Sequence, residues 1–194
     1  MDNGHALYLS VSGCATSRGI KVKSISERTD VFSEVKDGES PQSGFCDLEI
    51  VAQFKTPPSG YYQLESKKQV SYSFVINVDG QSDIWDVSGK PNNTPLYDAN
   101  GRRTIEGGEG MRYYVQKKLR LLCGQHKVFF ALPRENIFRE IAVSLKKDKM
   151  SLLRFTPIYN RGISEFGHFR RIDQWEGQHY MQGLKDFDVE FLSL

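Results

Sequence analysis

Cys46-Asp47-Leu48-Glu49-Ile50-Val51-Ala52-Gln53-Phe54 is the stretch that decides the fold class. Its even positions are apolar and its odd ones mostly polar. Successive side chains of a strand point to opposite faces, so this period of two marks a β-strand with one face buried. Thr56-Pro57-Pro58-Ser59-Gly60 ends it, because such a cluster reads as a loop. Tyr72, Phe74, Ile76 and Val78 form a second alternating set. Asp79-Gly80 follows, a strong signal for a two-residue hairpin, and Ile84-Trp85-Asp86-Val87 is the returning strand.

Working outward, Tyr113, Val115, Leu119 and Leu121 share a face with Cys123, interrupted by Lys117. Gly124-Gln125 is expected to turn the chain, with Val128, Phe130 and Leu132 returning until Pro133. Ile141, Val143 and Leu145 alternate up to a charged turn at Lys146-Lys147-Asp148-Lys149, and Leu153 and Phe155 continue beyond it. Phe187, Val189 and Phe191 interleave with Asp188 and Glu190 as a final strand. Residues 88–110, rich in Gly, Asn, Pro and charge, read as a long loop. Only Ile172 to Leu184 has helical spacing, weakened by Gly177 and Gly183. Roughly seven to nine short strands at intervals of about ten residues predict an all-β, Ig-like antiparallel β-sandwich with at most one short helix. No repeated βα alternation supports a doubly wound sheet.

The chain has 194 residues, 39% apolar and 26% charged, which suits one globular domain and excludes a fully disordered chain. Lys plus Arg number 26 against 24 Asp plus Glu, a net charge of +2, so nucleic acid is not an expected partner. No apolar run approaches the length of a spanning helix.

The N-terminus carries the most specific clue. Ala6 to Val11 is a short apolar stretch followed by Ser12-Gly13-Cys14. Val11, Ser12, Gly13 and Cys14 resemble the lipobox of bacterial lipoproteins, in which an aliphatic residue and two small residues precede the modified cysteine. The resemblance implies lipidation of Cys14, location in the bacterial cell envelope, and, since Ala15 rather than Asp follows, the outer membrane. The membrane would then be a partner through the lipid anchor. Met1 to His5 has no Lys or Arg, whereas a secretory signal opens with positive charge, so the signal is expected to begin upstream. On this reading residues 1–13 are a residual signal segment, 14–44 a mostly polar tether with a possible edge strand through Ile20, Val22 and Ile25, and 45–194 the sandwich. With Cys14 lipidated, Cys46 and Cys123 are left as an even pair on inward strand faces. They are either one disulfide of an exported domain or two buried thiols.

Val78-Asp79-Gly80, Thr94-Pro95-Leu96, Leu119-Arg120-Leu121 and Gly124-Gln125-His126-Lys127-Val128 together resemble PEGA-type bacterial surface β-domains. That resemblance implies an envelope-associated sandwich and carries no catalytic residues.

The remaining signals for chemistry are thin. Glu176 and His179 have the spacing of a helical metal pair, but a di-iron site needs two such pairs on helices, so no metal and no cofactor is expected. His5 and His168 belong to no ligand motif. Gly107-Gly108-Glu109-Gly110 lacks the Lys-Ser/Thr of a phosphate cradle and reads as a mobile loop. No Gly-x-Ser-x-Gly elbow occurs, and the closeness of Cys123 and His126 in sequence does not make a dyad. His126 is expected at a hairpin end, facing solvent. No catalytic residue is assigned and the protein is not expected to be an enzyme.

Phe166, Phe169, Arg170, Arg171 and Trp175 mix aromatic and basic side chains, the types favoured at contact surfaces, and form the candidate binding segment. Tyr61, Tyr62, Tyr113 and Tyr114 are secondary candidates. The expected function is a non-enzymatic envelope lipoprotein that binds an envelope protein or a polysaccharide. The alternatives are a small β-fold hydrolase and a β-domain interaction module without lipid.

Overall fold

The computed structural model describes residues 13–35, 41–56, 71–102, 104, 106–147, 149–161 and 179–193, with side chains from 17 to 158 within that set. The described chain is an all-β sandwich of two sheets with one short α-helix. In the larger sheet, β1 (Phe32–Glu34) lies beside β6 (Gly108–Leu122), followed by β2 (Phe45–Thr56), β9 (Lys149–Arg161) and β10 (His179–Ser193). A further short strand, β5 (Lys90–Thr94), also pairs with β6. The smaller sheet runs β4 (Gln81–Ser88), β3 (Ser71–Val78), β7 (Gly124–Leu132), β8 (Ile137–Leu145). Pairing is antiparallel throughout except between β2 and β9, where Leu48–Ala52 runs parallel to Ser151–Phe155.

The alternating sets supply the core. Cys46, Leu48, Ile50, Ala52 and Phe54 of β2 face Tyr72, Phe74, Ile76 and Val78 of β3 across the sandwich, all buried. The centre is aromatic. Phe130 stacks on Phe155 at 4.6 Å between centroids, Phe74 on Phe130 at 5.6 Å, and Phe54 on Tyr113 at 5.3 Å. Such contacts add to the burial energy of rings that already remove large apolar areas from water. Lys117, the interruption in the β6 set, sits where the sheets part at their edge. Its ammonium pairs with Glu34 at 2.7 Å and lies 5.6 Å above the Trp85 ring, so its stem covers apolar surface while its charge stays paired.

Asp79 and Gly80 form the β3–β4 turn with φ of 47° and 95°, the left-handed pair that a two-residue hairpin requires. At Gly124, φ is 144°, and there the expectation of a second hairpin fails. β6 and β7 belong to different sheets, so Leu122-Cys123-Gly124 is a corner that carries the chain across the sandwich. Residues 146–148 likewise connect β8 of one sheet to β9 of the other.

Four other expectations change. The chain through Ile20 and Val22 is α1 (Gly13–Lys23), not an edge strand, and Ile25 lies beyond its end. α1 packs on the outer face of the smaller sheet, with Ile20 buried among Val75, Phe129 and Ala131. Residues 13–35 are therefore bound to the sandwich rather than a free tether: Asn77 Nδ2 donates to the Lys23 carbonyl at 3.0 Å, and Gln81 clamps both backbone groups of Phe32. Residues 88–110 include β5 and the start of β6 rather than one long loop. Of the helically spaced stretch at its other end, His179 to Leu184 is strand β10; Ile172 to Gln178 lies outside the described residues.

Candidate functional site

Strand polarity divides the loops between two ends. Thr56, Ser71, Ser88, Leu132, Arg161 and His179 lie at one end; Phe45, Val78, Leu122 and Leu145 lie at the other.

At the second end the fold is cross-tied. Cys46 and Cys123 are joined in a disulfide, with Cα atoms 5.0 Å apart and a sequence separation of 77. Cys46 is the first inward residue of β2 after Phe45, and Cys123 sits in the corner after β6, so the antiparallel register of these strands brings them together. His126 is the third residue of β7, just beyond the corner. It does not face solvent as expected. Its side chain is 11% exposed, with Nδ1 at 2.7 Å from Asp79 Oδ2 and Nε2 at 2.7 Å from the Leu122 carbonyl. Asp79 also accepts from the Lys127 backbone N–H at 2.8 Å. With Cys123 bridged and His126 spent on a turn and a corner, neither forms a nucleophilic pair.

At the first end, Lys55 is 7% exposed. Its ammonium donates to the Glu106 carbonyl at 2.9 Å, to the Gly108 carbonyl, and to Thr94 Oγ1 at 3.3 Å. Burial, and after it the nearby Arg112 guanidinium, push the Lys55 ammonium below the ordinary lysine range, with Glu106 opposing. The glycine-rich run is what lets the backbone close on this lysine. A Cβ at Gly110 would lie 2.5 Å from the Thr56 carbonyl oxygen and 2.7 Å from Lys55 Cε. Three donors meeting three acceptors make Lys55 a structural clasp, and residues 107–110 are its wall rather than a mobile loop. Near the same end, Glu135 has one buried carboxyl oxygen, and Tyr72 a buried hydroxyl, with no hydrogen-bond partner among the described residues. Burial pushes the Glu135 carboxyl up to about 7.

On the outer face of the larger sheet, Asp47 is 4% exposed and held by Arg120 at 2.9 Å and Lys118 at 3.1 Å. Burial raises the Asp47 carboxyl, but hydrogen bonds from Arg120 and Lys118 outweigh it and hold the group below the ordinary aspartate range. Along the same face Tyr114 donates to Gln116 at 2.9 Å, and Gln116 donates to Glu49. Tyr114 is exposed while Tyr113 is buried, as two successive strand residues must be. On the opposite side of the molecule, an open groove of about 710 Å³ runs between α1 and strands β7 and β8, floored by Phe129 stacked on Phe138.

Phe166, Phe169, Arg170, Arg171 and Trp175 lie outside the described residues, as do Tyr61, Tyr62, His5, His168 and Glu176. Cys14 falls in the first turn of α1. Among the described residues no three His, Cys, Asp or Glu side chains gather as a metal site would need, and no helix is long and apolar enough to cross a membrane. The sequence pattern does not single out Lys55 or Asp47, and it places His126 in solvent. The available signal was a charged residue beside strand positions that alternate cleanly, which reads as surface until the partner strand is known.

Comparison of the chain with protein-family models, curated proteins and solved structures finds no match.

Proposed function

We propose that the chain is the globular domain of a bacterial cell-envelope lipoprotein, anchored through Cys14 and acting by contact with an envelope protein or polysaccharide. The observation that carries this reading is the Cys46–Cys123 disulfide. Thiols of cytosolic proteins are kept reduced, whereas exported domains oxidise theirs. One bridge also leaves Cys14 as the odd cysteine, which the lipobox-like Val11-Ser12-Gly13-Cys14 accounts for. Support for contact rather than catalysis comes from how the polar clusters are used. Lys55 and His126 direct their donors at the chain's own backbone and turns, and Asp47 ties β2 to β6.

The contact surface is the outer face of the larger sheet. Tyr114, Gln116, Glu49 and Gln53 present an aromatic ring and amide and carboxylate groups on a rigid, flat support. Such a mixture suits the hydroxyls of a glycan or the backbone of a protein. The test is retention of purified protein on isolated envelope fractions. The doubly substituted Tyr114→Ala, Gln116→Ala protein should bind at least tenfold more weakly with its melting temperature unchanged. Unaltered retention would remove this face from the proposal.

A further inference from the structure

We propose that the α1 face of the protein docks on an anionic lipid bilayer. α1 carries Arg18, Lys21 and Lys23 and no acidic residue. Arg18 and Lys21 are exposed and have no ionic partner among the described residues, and Lys127 of β7 adds a fourth cation to the same side. Glu140 offsets two of them, 3.2 Å from Lys23 and 3.7 Å from Lys127, and Asp86 of β4 lies on the same outer face, so the cations outnumber these carboxylates two to one. Around these charges stand apolar side chains that the sandwich leaves uncovered. Val22 is 57% and Ile25 63% exposed, and Phe138 of β8 and Ile84 of β4 are exposed on the outer face of the same sheet. Basic side chains interleaved with exposed aliphatic and aromatic ones match a surface of phosphates over acyl chains.

Helix register gives the orientation. Ile20 points into the sheet, while Arg18 and Val22, two residues to either side of it, turn away from that buried contact and line the open groove beside Phe138. Position 14 lies in the first turn of the same helix, which is about 16 Å long, so an anchor there holds the bilayer within one helix length of the α1 cations. This orientation rests on the lipoprotein reading; the charge and apolar pattern of the face does not. Docked so, the outer face of the larger sheet points away from the membrane, toward the partners assigned to it above.

The experiment is flotation of the purified, unlipidated full chain with vesicles of pure phosphatidylcholine and with vesicles containing phosphatidylglycerol. Binding is expected to the anionic vesicles alone. It should fall steeply as salt rises from about 0.05 to about 0.5 M. It should weaken about 30-fold in the Arg18→Ala, Lys21→Ala protein, whose melting temperature should stay within about 1 °C of the parent because both side chains are exposed. Equal binding to both vesicle types, or no loss in the double variant, would overturn the proposal. So would a change of oligomeric state in the double variant with no change in flotation, which would make the face a contact between copies. Separately, a Cys14→Ser chain in its host reports the anchor. If its fractionation matches the parent while the vesicle result holds, the anchor reading fails and the docking face stands.

Discussion

Reducing the Cys46–Cys123 bond gives a perturbation whose size follows from chain length alone. The bond closes a loop with a sequence separation of 77. Restricting an unfolded chain by a cross-link of that span removes conformational entropy worth about 4.5 kcal/mol at 25 °C. That is a large share of the stability of an ordinary domain. The bridge also ties the start of β2 to the corner between the two sheets, so the folded state keeps those segments adjacent with or without it: the Cys123 backbone N–H still donates to Gly44 at 3.0 Å. The effect should therefore appear mostly in the unfolded state. The assay is urea unfolding of the same chain, oxidised and fully reduced, with the position 14 thiol blocked in both. With a urea slope of about 2–3 kcal/mol per molar, the midpoint should drop by about 2 M on reduction. Midpoints that agree within about 0.2 M would refute the reasoning, because no loop of this length would then be held closed.

Three further outcomes are expected. Glu135, raised by burial to about 7 from 4.5, favours its protonated form in the fold, so its contribution to stability is full below about pH 4.5 and is lost as pH rises through about 7. Glu135→Gln should be more stable than the parent by about 1–2 kcal/mol at pH 8 and equal to it at pH 4, measured by denaturant melts at each pH; this allows for partial solvent access. Gly110→Ala should cost at least about 2 kcal/mol, since its Cβ meets the rigid Thr56 carbonyl, and a thermal melt within 2 °C of the parent would contradict the clasp around Lys55. Arg120→Ala should cost about 2 kcal/mol by leaving Asp47 buried with Lys118 alone; because Asp47 is held below its usual range, the parent's advantage should shrink as pH falls below about 3.8, and a difference that grows in acid would contradict this.

The strands were legible wherever one face is buried and the other wet. β2 and β3 keep their even, apolar positions on the core face, although Asp47, Lys55, Val75 and Asn77 on the other face are buried as well, and the Asp79-Gly80 turn between β3 and β4 has the chemistry its geometry demands. What the sequence could not convey is which neighbour each strand takes. Leu119–Leu121 followed by Gly124 and Val128–Leu132 has the same pattern whether the chain folds back as a hairpin or crosses to the other sheet, and here it crosses. α1 was hidden for a different reason. Among its described side chains it buries one, Ile20, and Ile20, Val22 and Ile25 mimic a strand. β5 was hidden by Pro91 and two asparagines, which a short strand paired on β6 can carry because Pro is accepted at sheet edges. The disulfide was half legible: both cysteines lie on inward faces, but their adjacency depends on the corner at Cys123. The clusters at Lys55, Asp47 and His126 all depend on partners distant in sequence.

The central claim is that the domain is exported and held to a membrane by Cys14. Its most direct test is intact and peptide mass spectrometry of the protein isolated, without reductant, from the membrane fraction of its bacterial host. The account predicts a mature chain beginning at Cys14, carrying diacylglycerol on that sulfur, with Cys46 and Cys123 linked in one peptide pair. A chain recovered from the soluble fraction with a free thiol at Cys14 and reduced Cys46 and Cys123 would contradict it.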